Sequence, residues 1–88
     1  MELRYSIVAE NDLTYWKKKG TPQIRQKISS LLESIENTPF SGIGKPEPLK
    51  EKYSGKWSRR IDEKNRLIYG VFNNYVEIYS LRGHYNNK

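Results

Sequence analysis

A single carboxylate stands between two prolines in the stretch Gly44–Lys50, which also contains two lysines. Each proline fixes its own φ near about −65° and disfavours the helical conformation for the residue before it. Glu47 is therefore expected on a stiff, extended backbone, which suits a catalytic base. Loops favour glycine and proline in any case, so the same stretch is also consistent with a simple connector.

Groups capable of phosphate chemistry follow Glu47 along the chain: Arg59, Arg60, Arg66 and the only histidine, His84. A guanidinium matches phosphate geometry and stays charged, and an imidazole can donate a proton near neutral pH. With a carboxylate to deprotonate a 2′-hydroxyl, these groups are what metal-free RNA cleavage requires. Taken singly, the arginines also fit a solvated strand edge, and His84 fits a packed or solvated side chain.

The first twenty residues predict a strand and a short helix that could support these groups. Near alternation of apolar residues over Glu2–Ala9 indicates a strand at or near a sheet edge. Asn11 and Asp12 are candidate N-caps for a helix that ends at Gly20. Three lysines precede Gly20, where the helix dipole favours cations.

A second helix is the clearest predicted element, with Thr21 as N-cap, Pro22 at its first position and an end at Asn37, before Pro39. Its apolar residues recur at helical spacing, so the helix is assigned to packing rather than chemistry. These residues are Ile24, Ile28, Leu31, Leu32 and Ile35.

Beyond the proline-rich loop the pattern changes to period two and predicts three antiparallel strands, Gly55–Ile61, Arg66–Phe72 and Tyr75–Arg82. Turns at 62–65 and at Asn73-Asn74 connect them. The face that takes the helices would carry Leu67, Tyr69, Val71, Val76, Ile78 and Ser80. The working face would carry Arg66, Ile68, Gly70, Glu77, Tyr79 and Leu81.

Two placements depend on local geometry that the sequence leaves open. A three-residue turn before Arg66 would bring Arg60 to the working face, whereas a four-residue turn would bring Arg59 there. Strict alternation would send His84 to the core side, so the chain is expected to leave the ladder at a bulge or bend near Gly83.

Composition narrows the class of protein. Eighty-eight residues with 35% hydrophobic content are expected to make one small domain, residues 1–88. The chain has no cysteine and one histidine, which excludes disulfides and thiolate or His-cluster metal sites, although carboxylate-bound Mg²⁺ remains formally open. A net charge of +6 with eleven aromatic residues fits a phosphate-rich partner. No signal peptide or membrane span is evident, so a cytoplasmic protein without membrane contact is expected.

These motifs together resemble the Txe/YoeB toxins of the RelE/ParE superfamily of toxin–antitoxin systems. The resemblance rests on Pro39-Phe40, Gly42 to Lys50, Ser54-Gly55, Trp57 to Ile61, Arg66 to Tyr69 and His84-Tyr85. It implies an α+β, RelE-like and microbial-ribonuclease-like fold, with two helices packed on a curved antiparallel sheet. It also implies a ribosome-dependent endoribonuclease that cleaves translated mRNA in the ribosomal A site, without metal or cofactor.

The resemblance also assigns roles and partners. It implies that Glu47 is the general base, Arg66 the phosphate and transition-state stabiliser and His84 the general acid. Tyr85 matches an aromatic residue at the active-site end. Basic positions that would contact RNA are Lys50 and Arg60, together with Arg59 as the neighbouring candidate. Expected partners are mRNA, the 70S ribosome, a YefM/Axe-like antitoxin and a second copy of the chain.

Two departures from the family pattern concern the C-terminus. The chain continues with Asn86-Asn87-Lys88 after the His-Tyr pair, and Gly83 stands where an aromatic residue is usual. Two alternatives to the endonuclease stay open: a ParE-like toxin that binds DNA gyrase, since both branches share a fold, and a ribosome-binding inhibitor that does not cleave.

Overall fold

The structure, a computed structural model, describes residues 1–83. In chain order its elements are β1 (Glu2–Tyr5), α1 (Ile7–Lys19), α2 (Pro22–Asn37), β2 (Glu47–Pro48), a 3-10 turn (Glu51–Tyr53), β3 (Lys56–Arg60), β4 (Arg66–Val71) and β5 (Tyr75–Ser80).

The strands form one sheet in the order β1-β5-β4-β3-β2. The three predicted strands pair antiparallel, the short strand β2, which was not predicted, adds a fourth, and β1 joins the edge of the sheet parallel to β5. Parallel pairing needs a long crossover, which the two helices and the intervening strands supply. The predicted α+β class is confirmed, and the sheet is mixed rather than wholly antiparallel.

Helix α1 begins earlier than the sequence predicts because Ser6 caps it. The Ser6 hydroxyl accepts a hydrogen bond from the backbone N–H of Ala9 at 3.0 Å, which satisfies a donor of the first turn. The predicted strand over Glu2–Ala9 therefore ends at Tyr5. Ile7 and Val8 are apolar and β-branched, but they lie on the first helical turn and are 76% and 56% exposed.

The residues predicted to cap α1, Asn11 and Asp12, instead lie inside the helix, so that prediction is wrong. Asp12 is buried, and its carboxylate accepts a hydrogen bond from the N–H of Leu81 at 2.8 Å. Gly20 ends the helix as predicted, with its N–H donating to the carbonyl of Trp16.

The predicted limits of α2 are confirmed. The Thr21 hydroxyl accepts a hydrogen bond from the N–H of Ile24, Pro22 begins the helix and Asn37 ends it. The middle of its apolar stripe is buried against the sheet and consists of Ile28, Leu31 and Ile35. The helix therefore serves packing, as the spacing indicates.

A β-bulge in β5 decides which side chains face the helices. The pairing register shifts between Ile68 and Tyr69, so Tyr79 is an extra residue on β5. The shift reverses the alternation beyond it and corrects two predictions. Ser80 pairs with Ile68 and so lies on the side opposite the helices, whereas Leu81 belongs to the core.

The core lies between the helices and one face of the sheet. Its buried sheet residues include Leu67, Tyr69, Val76 and Ile78. The opposite face is called the open face below. By the strand register it carries Glu47, Lys56, Ser58, Arg60, Arg66, Ile68, Gly70, Phe72, Tyr75, Glu77 and Ser80, with Arg4 at the β1 edge. Its central residues, Ser58, Ile68, Gly70 and Ser80, are buried. Within residues 1–83, no helix is long and apolar enough to cross a membrane.

Candidate functional site

The short strand β2 presents Glu47 on the open face. Glu47 pairs with Ser58 and Pro48 with Trp57, and the N–H of Leu49 donates to the carbonyl of Lys56 at 2.9 Å. The flanking prolines and this pairing fix the backbone, as the sequence predicts. The Glu47 side chain is 54% exposed, so its carboxylate is accessible to a ligand.

Arg66 lies two strands away and reaches Glu47 across β3. Its Nε donates to the Ser58 hydroxyl at 3.1 Å, and its Nη2 lies 3.4 Å from the Glu47 carboxylate. The Arg66 side chain is only 16% exposed, so it is held more firmly than the carboxylate. Among residues 1–83, the Arg66 hydrogen bonds use Nε and Nη2, and the planar guanidinium is suited to binding phosphate. Two of the predicted site residues are therefore brought together, with Ser58 as a support that the sequence analysis did not identify.

The β3–β4 register resolves the choice between the two adjacent arginines. Arg60 pairs with Arg66 and lies exposed on the open face, while Arg59 pairs with Leu67 and points to the opposite side. Arg59 has no exposed surface, so the expectation that it contacts RNA is wrong in this structure. The cause is alternation along β3, which sends neighbouring side chains to opposite faces.

Arg59 instead binds the loop that leads to Glu47. Its guanidinium donates to three loop carbonyls, those of Thr38 at 2.7 Å, Ser41 at 2.8 Å and Ile43 at 3.0 Å. Two hydroxyls also accept from it, those of Ser34 in α2 at 2.7 Å and Tyr69 in β4 at 3.0 Å. No carboxylate of residues 1–83 forms an ion pair with it. Its buried charge is therefore balanced by neutral dipoles.

The loop packs so closely on Arg59 that glycine is required at position 44. Gly44 has φ of +82°, and a Cβ there would lie 2.5 Å from Leu31 Cδ2 and 3.1 Å from Arg59 Cβ. Its carbonyl accepts a hydrogen bond from the N–H of Arg60 at 2.7 Å. Arg59 and Arg60 thus fix the path of the chain three residues before Glu47.

Tyr69 connects the same loop to the core. Its hydroxyl donates to the carbonyl of Pro39 at 2.7 Å and accepts from Arg59. Burial raises the pKa of the Tyr69 phenol above its ordinary value, although the nearby Arg59 charge and hydrogen bond act in the opposite direction. The phenol therefore stays neutral near physiological pH and serves as a structural donor.

Lys50, another predicted RNA contact, is exposed just beyond β2. Its carbonyl accepts a hydrogen bond from the N–H of Tyr53, which forms the 3-10 turn before β3. Lys50 is thus close in sequence to Glu47 and accessible, although its side chain is not part of the Glu47–Arg66 contact.

The backbone after β5 is directed toward Arg66. The N–H of Leu81 donates to Asp12 and its carbonyl accepts from Trp16 Nε1 at 2.8 Å, so α1 holds this segment from both sides. The carbonyl of Gly83 then accepts a hydrogen bond from the N–H of Arg66 at 3.1 Å. The chain has left the ladder before Gly83, as predicted, but the bulge that changes the faces is at Tyr79, four residues earlier.

The other two predicted catalytic residues, His84 and Tyr85, lie outside the described residues. The sequence analysis missed the roles of Asp12 and Trp16 in anchoring Leu81. An acidic residue in a helix is usually exposed and a tryptophan usually packs in the core, so neither residue type indicates a hydrogen bond to a distant backbone. Across residues 1–83, no group of three acidic or other metal-ligating side chains could hold a metal ion.

Comparisons with known proteins identify the family of the chain. The sequence matches the family described as "YoeB-like toxin of bacterial type II toxin-antitoxin system" over residues 5–85. It is 44% identical to Toxin YoeB of Escherichia coli K12, over 97% of this chain and the whole of that protein. It is 43% identical to Toxin YoeB of Synechocystis, over 97% and 98% of the two chains.

Solved structures agree as well. A YoeB/ParE toxin from Agrobacterium tumefaciens superposes with a TM-score of 0.90 at 36% identity, covering 97% of this chain and all of the other. YoeB of Staphylococcus aureus, solved as a dimer, superposes with a TM-score of 0.86 at 37% identity, covering 97% and 98% of the chains. The same toxin has also been solved with YefM. The chain belongs to the YoeB-like toxins of bacterial type II toxin–antitoxin systems.

Proposed function

We propose that this toxin is a ribosome-dependent mRNA endoribonuclease that inhibits translation by metal-free acid–base cleavage in the ribosomal A site. The observation that carries the proposal is the Glu47–Arg66 contact on the open face, with Arg66 supported by Ser58. It places a proton acceptor beside a group suited to binding phosphate. Family membership adds the toxin identity.

The first step assigned to this pair is attack by a 2′-hydroxyl on the adjacent phosphorus. Glu47 would take the hydroxyl proton, for which its carboxylate must come within about 2.6–3.2 Å of the hydroxyl oxygen. Arg66 would donate to the phosphate oxygens that gain negative charge, since its fork of donors matches their geometry. The exposed carboxylate of Glu47 can reach the hydroxyl, and the more buried guanidinium of Arg66 holds its positive charge in a fixed place.

The second step needs a proton for the departing 5′-oxygen. We assign it to His84, with Tyr85 beside it, because Gly83 lies against the backbone of Arg66. The products would be a 2′,3′-cyclic or 3′-phosphate and a 5′-hydroxyl. Lys50 and Arg60, both exposed, would contact RNA phosphates.

The ribosome has a defined task in this proposal. One carboxylate and one imidazole are modest acid–base groups, so much of the rate must come from holding the RNA in a reactive geometry. An ordered A-site codon would supply that geometry. Further proposed properties are a cytoplasmic location, neutralisation by a YefM/Axe-like antitoxin and formation of a homodimer, the last two supported by the assemblies of the Staphylococcus aureus toxin.

The test is cleavage of a reporter mRNA in a translating extract by wild-type and isosteric variants. Glu47→Gln is expected to lower the rate by about 10²–10⁴-fold. Arg66→Gln should lower it by about 10²–10³-fold, the size expected for loss of a charge-stabilising donor. Glu33→Gln, an exposed position on α2, is the matched control and should leave cleavage unchanged.

The variants also distinguish the alternatives. Stalled translation with intact mRNA would identify an inhibitor that binds without cleaving. Arrest of DNA replication before translation would favour a gyrase-directed toxin. A Glu47→Gln, Arg66→Gln double variant that cleaves at the wild-type rate would refute the assignment of the site, and rapid cleavage of free RNA would refute the role given to the ribosome.

A further inference from the structure

The open face also carries a row of aromatic rings and cations that runs from β1 to Lys56 on β3, two residues from Ser58, the partner of Glu47. It is here called the aromatic row and consists of Arg4, Tyr75, Phe72, Tyr79 and Lys56. The Phe72 and Tyr75 rings stack with centroids 4.9 Å apart and an interplanar angle of 15°. The guanidinium carbon of Arg4 lies 3.9 Å from the centroid of Tyr75, and Lys56 Nζ lies 4.4 Å from that of Tyr79. The row therefore crosses β1, β5, β4 and β3.

A glycine in β4 makes room for one of these rings. A Cβ at Gly70 would lie 3.1 Å from both Cε2 and the hydroxyl of Tyr79 and 3.5 Å from Cε2 of Phe72. Gly70 thus lets the Tyr79 ring lie across β4 toward Lys56. The bulge described above puts Tyr79 in this position.

Cross-strand aromatic pairs stabilise sheets, but the pairing of Phe72 with Tyr75 does not bury the whole of either ring. Phe72 is 44% exposed. An aromatic side chain has about 150–250 Å² to bury, and Tyr75 and Tyr79 are partly buried, so the exposed part of the three rings, about a third of their total, is on the order of 200 Å². A stable protein interface needs about 800 Å² on each partner. The row is too small for such an interface by itself and suits one or two nucleobases.

The charges near the row indicate which part of a nucleic acid it fits. Arg4 forms an ion pair with Glu2 at 3.3 Å, and Glu77 stands opposite both Arg4 and Gly70. The cations of the row are thus balanced by nearby carboxylates, and the row has little net attraction for phosphates. Arg4 and Phe72 both lie against the Tyr75 ring, so the surfaces left for a base are the outer faces of the Phe72 ring and the Arg4 guanidinium, which can stack on bases.

The row and the Glu47–Arg66 contact share one face and one strand. Arg66 begins β4 and Phe72 directly follows its last residue, and both lie on the open face. They are six residues apart, which corresponds to about 20 Å of strand. Ile68 and Gly70, which lie between them on this face, are buried, so a single-stranded RNA bound at Arg66 would reach the row by passing over the side chains around them. No helix separates the two, because α1 and α2 pack on the opposite face.

We propose that the aromatic row is a stacking subsite for unpaired bases of the RNA strand whose phosphate binds at Arg66. The proposal rests on the proposed function for its RNA substrate and adds a second point of contact on it. Stacking there would hold the strand along β4 while the phosphate contacts set its register.

The test is the affinity of the full chain for a non-cleavable 2′-O-methyl RNA of about eight nucleotides, a length typical of single-stranded sites. Phe72→Leu removes the ring and keeps an apolar side chain, and Phe72→Tyr keeps the ring. We expect Phe72→Leu to weaken binding by about five- to 100-fold and Phe72→Tyr to stay near wild type. The slope of log affinity against log salt should be unchanged by Phe72→Leu, since no phosphate contact is lost.

An abasic oligonucleotide of equal length, which has the phosphates but no bases, is the matched control ligand. Wild type should bind it more weakly than the RNA, and Phe72→Leu should have no further effect on it. Equal affinities of wild type and Phe72→Leu for the RNA, or equal affinity of wild type for the two strands, would overturn the proposal. A change in self-association rather than RNA binding in Phe72→Leu would also overturn it and identify a protein contact.

Failure of the stacking proposal can be distinguished from failure of the proposed endonuclease function. Arg66→Gln should weaken binding of both strands and lower the salt slope by about one. If Glu47→Gln and Arg66→Gln abolish mRNA cleavage while Phe72→Leu binds normally, only the stacking subsite is wrong. If Phe72→Leu weakens RNA binding while the Glu47 and Arg66 variants cleave normally, the endonuclease site is wrong and the RNA-binding surface stands.

Discussion

Replacing Arg59 by methionine should destabilise the protein far more than the same change at Arg60. Arg59 donates five hydrogen bonds from a fully buried position, whereas its neighbour is exposed on the open face. Methionine keeps a comparable unbranched stem and removes every donor. The pair of variants therefore isolates the guanidinium contacts from general effects on β3.

The expected size follows from those contacts. Hydrogen bonds from a charged donor contribute about 1.5–3 kcal/mol each, so five would contribute about 7–15 kcal/mol. Burial of a cation without a carboxylate costs several kcal/mol and offsets part of this. Thr38 and Ser41 are exposed, so their carbonyls would bind water once the side chain is gone. We expect Arg59→Met to lower the free energy of unfolding by about 3–5 kcal/mol and Arg60→Met by less than about 0.5 kcal/mol.

Urea unfolding followed by tryptophan fluorescence measures both values, and amide exchange reports the loop. Exchange should accelerate over residues 38–44 in Arg59→Met and stay unchanged in Arg60→Met. Unfolding free energies for the two variants within about 0.5 kcal/mol of each other, with equal protection of the loop, would refute the role assigned to Arg59.

Three further predictions concern stability. Gly44→Ala should destabilise by about 1–3 kcal/mol more than Gly55→Ala, because both have positive φ but only the first would place a Cβ against Leu31; urea unfolding of the two variants compares them. Ser6→Ala should lower the free energy of unfolding by about 1–2 kcal/mol, since its hydroxyl caps α1 and donates to the carbonyl of Tyr79; unchanged urea stability would contradict this. Burial raises the pKa of Tyr69 above 10.0, so the unfolded chain loses the phenol proton at a lower pH than the folded chain does. The free energy of unfolding should therefore fall as pH rises above about 10. Replacing Tyr69 by phenylalanine should make this fall less steep when unfolding is measured at alkaline pH.

The sequence predicted best where several local signals agreed. The limits of α2 follow from Thr21, Pro22 and the apolar spacing, and the structure confirms them. Helix α1 was harder because Ile7 and Val8 continue the apolar pattern of β1. The signal that could have corrected the boundary is Ser6 as an N-cap with Glu10 in the first turn.

The site was predicted less completely because its geometry depends on contacts between distant segments. Glu47 and Arg66 are brought together by the pairing of β2, β3 and β4, and this confirms that they share a face. The choice between Arg59 and Arg60 depended on strand register, which the turn sequence did not fix. The bulge at Tyr79 is likewise a property of the β4–β5 pair and has no clear signature in the sequence around it.

The parallel pairing of β1 with β5 also has a consequence for how the molecule is assembled. The N-terminal strand forms its ladder with residues 75–78, which leave the ribosome long after it. Until those residues emerge, the strand and the helix capped at Ser6 have no sheet on which to dock, because contacts this distant in sequence form late. A nascent copy of the toxin would thus stay incompletely folded through most of its own synthesis.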